Sequence, residues 1–195
     1  EGSFSVMLTL AMAAHNCGGK VIAQVKRITS RGTLNPQWVR VPGILVDAVV
    51  VDENQKQATG IAHDPAVSGE VRRPLGKISP APLSLEKIAA RRAFLELRKG
   101  DIVNLGFGIP SMISVIAAEE GLVDQVTFTI EHGAVGGVPL TGLQFGSAWN
   151  PEAIVESAAM FDFLTGGGIT AACAWPSAAG PAPPPSAPPL PDTPR

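Results

Sequence analysis

The sequence contains few of the residues that mark secreted or nucleic-acid-binding proteins. Only two of its 195 residues are cysteines, Cys17 and Cys173, and neither lies in a CxxC or Cys/His pattern. Two isolated cysteines argue against a disulfide framework and fit a reducing compartment, so we expect a cytoplasmic protein. Charged residues make up 16% of the chain, and the net charge is -2 with both signs interspersed. The lack of a basic stripe argues against nucleic acid as a partner.

The sequence also lacks an apolar run long enough to span a membrane, so no membrane partner is predicted. Residues 6–14, VMLTLAMAA, resemble the apolar region of a secretion signal. However, no Lys or Arg precedes them, and the chain begins at Glu1 without an initiator methionine. We therefore interpret this run as the end of a buried helix that begins upstream, and we expect the chain to be a fragment.

The composition changes three times along the chain, which predicts four regions. Hydrophobic residues make up 45% of the sequence, enough for a sizeable core. The regions are a first α/β segment at 1–63, a linker at 64–83, a second α/β segment at 84–170, and an Ala/Pro-rich tail at 171–195 that we expect to be disordered. The linker holds four prolines and two glycines without a sustained period. We interpret its Arg72-Arg73 pair as solvated.

Both segments show alternating helix and strand patterns. The first predicts a helix at Val6–Asn16, a strand at Lys20–Val25 and a buried strand at Ile44–Val51. The second predicts a helix capped by Ser84 and ending at Lys99-Gly100. A short strand, a helix capped by Ser111 and a strand ending near Ile130 follow. Helices and strands in this order, with short connections, predict an α/β fold with an open parallel sheet.

Two glycine-rich turns follow the predicted strands of the second segment. They are NLGFGIP at Asn104–Pro110 and EHGAVGGVP at Glu131–Pro139. In an open parallel sheet, ligands bind beyond the carboxyl ends of the strands, so both turns border one crevice if their strands are neighbours. The first turn does not match the GxGxxG fingerprint, and the three histidines show no metal spacing. No nucleotide or metal cofactor is therefore predicted.

Glu131 stands where the second strand meets its glycine-rich turn. It is either a solvated loop glutamate or a nucleophile presented at the end of a buried strand, and the pattern of residues leaves both open. A nucleophilic carboxylate can attack a thioester and then become a glutamyl thioester itself. Gly136 and Gly137 would suit the role of backbone donors to the oxyanion. Strand alternation would direct the side chain of His132 away from that of Glu131, so we assign it no catalytic role.

Three stretches carry a resemblance to a known family. They read IAARRAFLELRKGDIVNLGFGIP, VTFTIEHGAVGGVPLTGLQFGSAWNPEAI and FDFLTGGGI. They resemble the family I CoA-transferases, most closely the propionate or acetate CoA-transferases, which are also called acyl-CoA:acetate/3-ketoacid CoA-transferases. The pattern Glu-x-Gly-x-x-Gly-Gly-x-Pro is the specific element. Residues 18–51 resemble the end of the first, α-subunit-like half of these enzymes, so the resemblance covers residues 6 to 170.

The resemblance implies an incomplete CoA-transferase-like α/β fold and a ping-pong reaction. Glu131 would accept CoA from an acyl-CoA as a glutamyl-CoA thioester and pass it to acetate, propionate, butyrate or a 3-keto acid. Asn104, Gly106 and Gly108 would line the pocket near the thioester, and Gly136 and Gly137 would shape the loop after the nucleophile. CoA is then a substrate and no cofactor is needed. The parent enzyme is expected to be a homo-oligomer.

The chain also departs from the family pattern. It lacks the glycine-rich signature of the family's first half, and the Ala/Pro-rich tail replaces the family sequence after Gly166–Ile169. We expect a truncated, frameshifted gene product, which sequencing of the locus would test. Two alternatives stay open: a catalytically inactive remnant, or a fragment that acts only through its proline-rich tail. An enzyme of the related sugar-phosphate isomerase group would need basic residues for phosphate, which the glycine-rich turns lack.

Overall fold

The first segment forms one helix and a small parallel sheet. A computed structural model describes residues 3–56 and 62–174. Helix α1, Met7–Asn16, ends where Gly18 adopts a φ of 73°. Strands β1 (Ile22–Val25) and β2 (Ala48–Val51) pair in parallel, which confirms both predicted strands. The prediction that β2 is buried was wrong, because all four of its residues are exposed. Its apolar composition indicates β structure, but no other described element covers it.

The predicted linker packs against the second segment. Ala66 and Val67 are buried, and the backbone N–H of Asn150 donates to Ala66 O at 2.9 Å. Arg72 Nη1 donates to Asn150 O at 2.6 Å, and the guanidinium of Arg73 lies 4.2 Å from the centre of the Trp149 ring. Both arginines are exposed, as the predicted solvated pair requires, and each also contacts the second segment.

Helices and strands alternate in the second segment as the sequence predicts. They are α2 (Leu85–Phe94), β3 (Ile102–Leu105), α3 (Met112–Glu119) and β4 (Thr127–Thr129). Ser84 caps α2 by accepting a hydrogen bond from the Lys87 N–H at 3.1 Å. Ser111 does not cap α3, contrary to prediction. The chain enters that helix through a 3-10 turn, and the Ser111 hydroxyl donates to Gly108 O at 2.7 Å.

A five-stranded sheet forms the centre of this segment. Beyond β4, the strands and the last helix are β5 (Ala134–Val135), β6 (Val138–Pro139), β7 (Ala148–Trp149), β8 (Ala153–Ile154), α4 (Ser157–Thr165) and β9 (Ala171–Cys173). The order of strands in the sheet is β8-β5-β4-β3-β9. Strand β3 runs parallel to β4 and β9, whereas β5 runs antiparallel to β4 and β8. The sheet is thus mainly parallel, as predicted, with one reversed strand. Strands β6 and β7 pair separately.

The main core lies between this sheet and helices α2 and α3. It contains Ala90, Phe94, Val103, Leu105, Ile113, Ile116, Ala117, Val126 and Phe128. A smaller cluster of Ile130, Ala134 and Ala148 lies under the second glycine-rich turn. In the parallel pair β3 and β4, Val103, Leu105, Phe128 and Thr129 are buried, which fits the position of these strands at the centre of the sheet. The strands therefore hold the two glycine-rich turns on a rigid support.

The tail predicted to be disordered from residue 171 instead begins with a strand. Ala171–Cys173 form β9 and pair with Val103–Leu105. The boundary was placed too early because alanine-rich sequence has little intrinsic strand preference, whereas pairing with β3 is a tertiary contact. Residues 175–195, the rest of the predicted tail, lie outside the described part. Within that part, no helix is both long and apolar enough to cross a membrane.

Candidate active site

The two glycine-rich turns lie at the same edge of the sheet. Strands β3 and β4 are parallel neighbours, with Asn104 paired to Thr129. Their carboxyl ends therefore meet, and the turns that follow them border one crevice. The sequence predicts a shared crevice if these two strands are neighbours, and they are.

Glu131 occupies the turn directly after β4, and its side chain is 29% exposed. One carboxylate oxygen, Oε2, is buried without a hydrogen-bond partner among the described residues. The backbone is held firmly, because the Ser157 hydroxyl at the start of α4 donates to Glu131 O at 2.5 Å. A buried polar atom without a partner costs about 1–3 kcal/mol, and such atoms in native proteins are often functional. This geometry argues against an ordinary solvated loop glutamate.

His132 lies beside the Glu131 carboxylate, contrary to the predicted alternation. Its Nδ1 is 3.6 Å from Glu131 Oε1, and Nδ1 is also buried without a hydrogen-bond partner in the described part of the chain. The prediction was wrong because β4 ends at Thr129 and residues 131–132 form a turn. The N–H of Gly133 closes that turn by donating to Ile130 O at 2.8 Å. Side chains alternate only while the strand continues.

A row of rings joins the two glycine-rich turns. We call Phe107, Phe145 and His132 the aromatic row. Phe107 and Phe145 meet edge to face with centroids 5.5 Å apart, and Phe145 meets His132 in the same way at 5.8 Å. Phe107 is 65% exposed, although it is a large apolar side chain. The aromatic row gives the crevice an apolar wall that extends from the first turn to the residue beside Glu131.

The residues predicted to bind in the first turn have structural partners. Asn104 Oδ1 lies 3.3 Å from the Thr129 hydroxyl, which ties the ends of β3 and β4 together. The Gly106 N–H donates to Cys173 O at 2.8 Å, and a Cβ there would lie 3.2 Å from that oxygen. Gly108 has a φ of 84° and begins the 3-10 turn that enters α3. All three border the crevice, and their binding role stays a prediction.

The predicted donor role of Gly136 and Gly137 does not fit the geometry. Both follow β5, which runs back along β4, so they lie near the start of β4 and not at its carboxyl end. The Gly136 N–H already donates to Phe128 O at 2.8 Å. A Cβ on Gly137 would lie 2.1 Å from Trp149 O, which explains its need for glycine. These glycines shape the loop, and the sequence could not show that the chain reverses so soon.

Cys173 lies near Gly106, but its chemistry is not that of a nucleophile. Burial raises the pKa of the Cys173 thiol above its ordinary value. The thiol form therefore predominates at neutral pH, and a thiol is a poor nucleophile. Among residues 3–56 and 62–174, no group of three His, Cys, Asp or Glu side chains is placed to hold a metal ion. Glu131 is thus the strongest candidate nucleophile at this edge.

Known proteins share much of this sequence. No protein-family model matches the chain. It is 45% identical over 175 residues to a caffeate CoA-transferase from Acetobacterium woodii, an alignment that spans 88% of this chain and 33% of the relative. It is 42% identical over 163 residues to the acetate CoA-transferase YdiF of Escherichia coli K12, which spans 83% of this chain and 31% of the relative. The chain is a homologue of part of these CoA-transferases.

Solved structures agree with the sequence comparison. The apoenzyme of the acyl-CoA transferase YdiF from Escherichia coli O157:H7 superimposes with a TM-score of 0.74 at 39% identity, covering 88% of this chain and 32% of that chain. A thioester complex of the same protein with CoA gives a TM-score of 0.72 at 38% identity. The fold is therefore that of part of an acyl-CoA transferase. This CoA-transferase homologue spans about a third of the length of the relatives that it matches.

Several residues of the candidate site could not be identified from the sequence. The Ser3 hydroxyl donates to His132 O, which is 129 positions away in the sequence. The Ser157 hydroxyl, on the separate element α4, donates to Glu131 O. The contact between Phe145 and His132 likewise depends on the tertiary fold. Phe107 did carry a local signal, because a large apolar residue between two glycines in a turn is unusual.

Proposed function

We propose that this chain carries the nucleophile of a CoA-transferase, Glu131, which transfers CoA from an acyl-CoA to a carboxylic acid. The observation that carries the proposal is the position of the Glu131 carboxylate. It lies at the carboxyl end of a buried parallel strand, with one oxygen buried and unpartnered. The homologues and the shared fold support the same reaction class.

The proposed reaction conserves the energy of the thioester. The Glu131 carboxylate attacks the acyl-CoA carbonyl, the C–S bond breaks, and an acyl-glutamyl anhydride and CoA thiolate form. The thiolate then attacks the glutamyl carbonyl and releases the first carboxylate, which leaves a glutamyl-CoA thioester. A second carboxylate reverses these steps and leaves as its CoA ester. No redox step, metal or external base is required.

Two features of the site support a nucleophilic role over a general acid–base role. The attack requires a carboxylate that is poorly solvated, because water lowers the reactivity of an anion. The partly buried side chain of Glu131 meets this requirement. The homologous acyl-CoA transferase of known structure also forms a thioester complex with CoA, which agrees with covalent chemistry.

The intact mass of the chain after incubation with propionyl-CoA tests the proposal. We expect an increase equal to CoA minus water, localised to Glu131 by peptide mapping, and its loss on treatment with hydroxylamine. Glu131→Gln removes the nucleophile and should abolish the adduct. Because residues 100–194 contain no Lys or Arg, the mapping needs a protease that cleaves after acidic or aromatic residues.

Glu96→Gln is a matched control for this measurement. Glu96 is a glutamate on the protein surface with a side chain that is 69% exposed, and it pairs with Arg92. We expect this variant to form the adduct as the unchanged chain does. An adduct that persists in Glu131→Gln would contradict the proposed nucleophile. If neither the unchanged chain nor any variant forms the adduct, this chain does not contain a site that works by itself.

We also propose that the acceptors are short-chain carboxylates, such as acetate, propionate, butyrate or a 3-keto acid. The relatives differ on this point, because one is named for caffeate and another for acetate. The exposed Phe107 in the aromatic row would contact an acyl group bound near Glu131. Competition for the glutamyl-CoA adduct among acetate, butyrate, acetoacetate and caffeate would rank them. Faster turnover by caffeate than by acetate would contradict the short-chain assignment.

A further inference from the structure

We infer that His132 is a positioning residue for Glu131, and that its Nδ1–H holds Oε1 of the carboxylate and so fixes the orientation of that carboxylate for attack on the thioester. The inference rests on the function proposed above. It comes from the two unpartnered buried atoms of this turn, Glu131 Oε2 and His132 Nδ1. These atoms belong to adjacent residues of one turn.

The separation of the two side chains is close to that of a hydrogen bond. Nδ1 lies 3.6 Å from Glu131 Oε1, a little beyond hydrogen-bond distance. Catalytic hydrogen bonds are often long in ligand-free enzymes and shorten in the complex. A shift of a few tenths of an ångström would complete this one. The carboxylate would then be held in one orientation.

The His132 side chain is 38% exposed, and its imidazole ring packs on one side against neighbouring residues. A Cβ on Gly146 would lie 3.1 Å from the ring, so the backbone there packs directly against it. Phe145 meets the ring edge to face, and the Ser3 hydroxyl donates to His132 O at 2.8 Å. These contacts limit the movement of the ring beside the carboxylate. Support of this kind from surrounding residues orients a functional side chain.

The tautomer of His132 tests the contact without any need for activity. In the uniformly ¹⁵N-labelled chain, at a pH where the imidazoles are neutral, we expect the ¹⁵N shifts to show the proton of His132 on Nδ1. The His132→Asn variant assigns the signals, and Glu131→Ala should move the proton to Nε2 by removing the acceptor. A proton on Nε2 in the unchanged chain, or one that stays on Nδ1 in Glu131→Ala, would overturn the inference.

Two variants separate positioning from packing in the adduct assay. The amide nitrogen of Asn can occupy the place of Nδ1, whereas that of Gln reaches the place of Nε2. We expect His132→Asn to form the adduct within about threefold of the normal rate. His132→Gln should be slower by on the order of tenfold to a hundredfold, with an unchanged KM for the acyl-CoA. Equal rates in the two variants would count against positioning through Nδ1.

These two readouts distinguish failure of the inference from failure of the proposed function. If the unchanged chain forms no adduct, the proposed activity fails for this chain, and the tautomer still decides whether Nδ1 donates to Glu131. If the adduct forms and the proton lies on Nε2, the function stands and the positioning role is rejected. His15→Asn, at an exposed position on α1, controls for general effects of the substitution.

Discussion

At the scale of single residues, Gly133 determines the shape of the turn that carries Glu131. Its φ is 113°, a conformation that side chains with a Cβ rarely adopt. A Cβ there would also lie 1.9 Å from Val155 O. The N–H of Val155 donates to Gly133 O at 3.0 Å, so the two backbones cannot separate without loss of a hydrogen bond.

Replacement of this glycine should therefore destabilise the protein as well as the site. We expect Gly133→Ala to lower the free energy of unfolding by about 2–4 kcal/mol, because backbone strain and a steric clash add. Gly142→Ala is the matched control. Gly142 also has a positive φ, of 61°, but has open space where the Cβ would be, so its cost should be about 1 kcal/mol. Urea unfolding of both variants measures the difference, and equal midpoints would show that the clash with Val155 is relieved.

At the scale of elements, a buried ion pair joins α2 to α3. Lys87 Nζ lies 2.7 Å from Glu119 Oε2, with the two side chains 12% and 6% exposed. The other oxygen of Glu119 accepts the Ala81 N–H at 2.6 Å, and Lys87 Nζ donates to Ala81 O. The pair thus connects both helices to the end of the predicted linker. All charged atoms have partners, as buried ions require.

This ion pair should make the protein sensitive to acid. Burial acts to raise the pKa of Glu119, but Lys87 and the Ala81 N–H outweigh it and hold the pKa below its ordinary value. A carboxyl with a lowered pKa stabilises the fold above its unfolded-state pKa. That stability is lost as the pH falls through the lowered folded-state value.

Glu119→Gln tests this effect. We expect it to lower the free energy of unfolding at pH 7 by about 2–3 kcal/mol, because the Lys87 ammonium loses its anionic partner. The variant should also lose less stability than the unchanged chain between pH 5 and the acid limit of folding. Urea unfolding at several pH values measures both. A parallel pH dependence in the two proteins would assign the acid sensitivity to other carboxyls.

At the scale of the whole molecule, the first segment leaves its small sheet uncovered. Val49, Val50 and Val51 of β2 are each about half exposed, at 51%, 51% and 46%. A parallel sheet with apolar residues on both faces is normally buried, and a two-stranded sheet is barely stable alone. Exposed apolar strands with free edges associate with other chains. We therefore expect this segment to drive self-association of the chain.

A charge on β2 should reduce that association. We expect Val50→Lys to lower light scattering and the sedimentation coefficient of the chain at high protein concentration. Val71→Lys is the matched control, because Val71 is also 50% exposed but lies outside the sheet. It adds the same charge without interrupting the apolar strand. Equal scattering by the two variants would show that net charge, and not the face of β2, controls association.

Local patterns in the sequence predict the helices, the strands and the helix cap of the second segment. The apolar periods of α2 and α3, the β-branched strands β3 and β4, and the Ser84 cap depend on residues a few positions apart. The same holds for the place of Glu131 at the end of a buried strand, which the family resemblance interprets as the nucleophile. Interactions of this range are visible in a single sequence.

The arrangement of the site depends on the tertiary fold, because its contacts join residues that are distant in sequence. The reversal at β5 takes the Gly136 N–H to Phe128 O, away from Glu131. The end of β4 at Thr129 brings His132 beside the carboxylate, and Phe145 and Gly146 hold it there. Pairing with β3 makes a strand of an alanine-rich segment whose own sequence has little preference for one. Each of these contacts depends on which residues lie nearby after folding, and a local sequence pattern does not identify those residues.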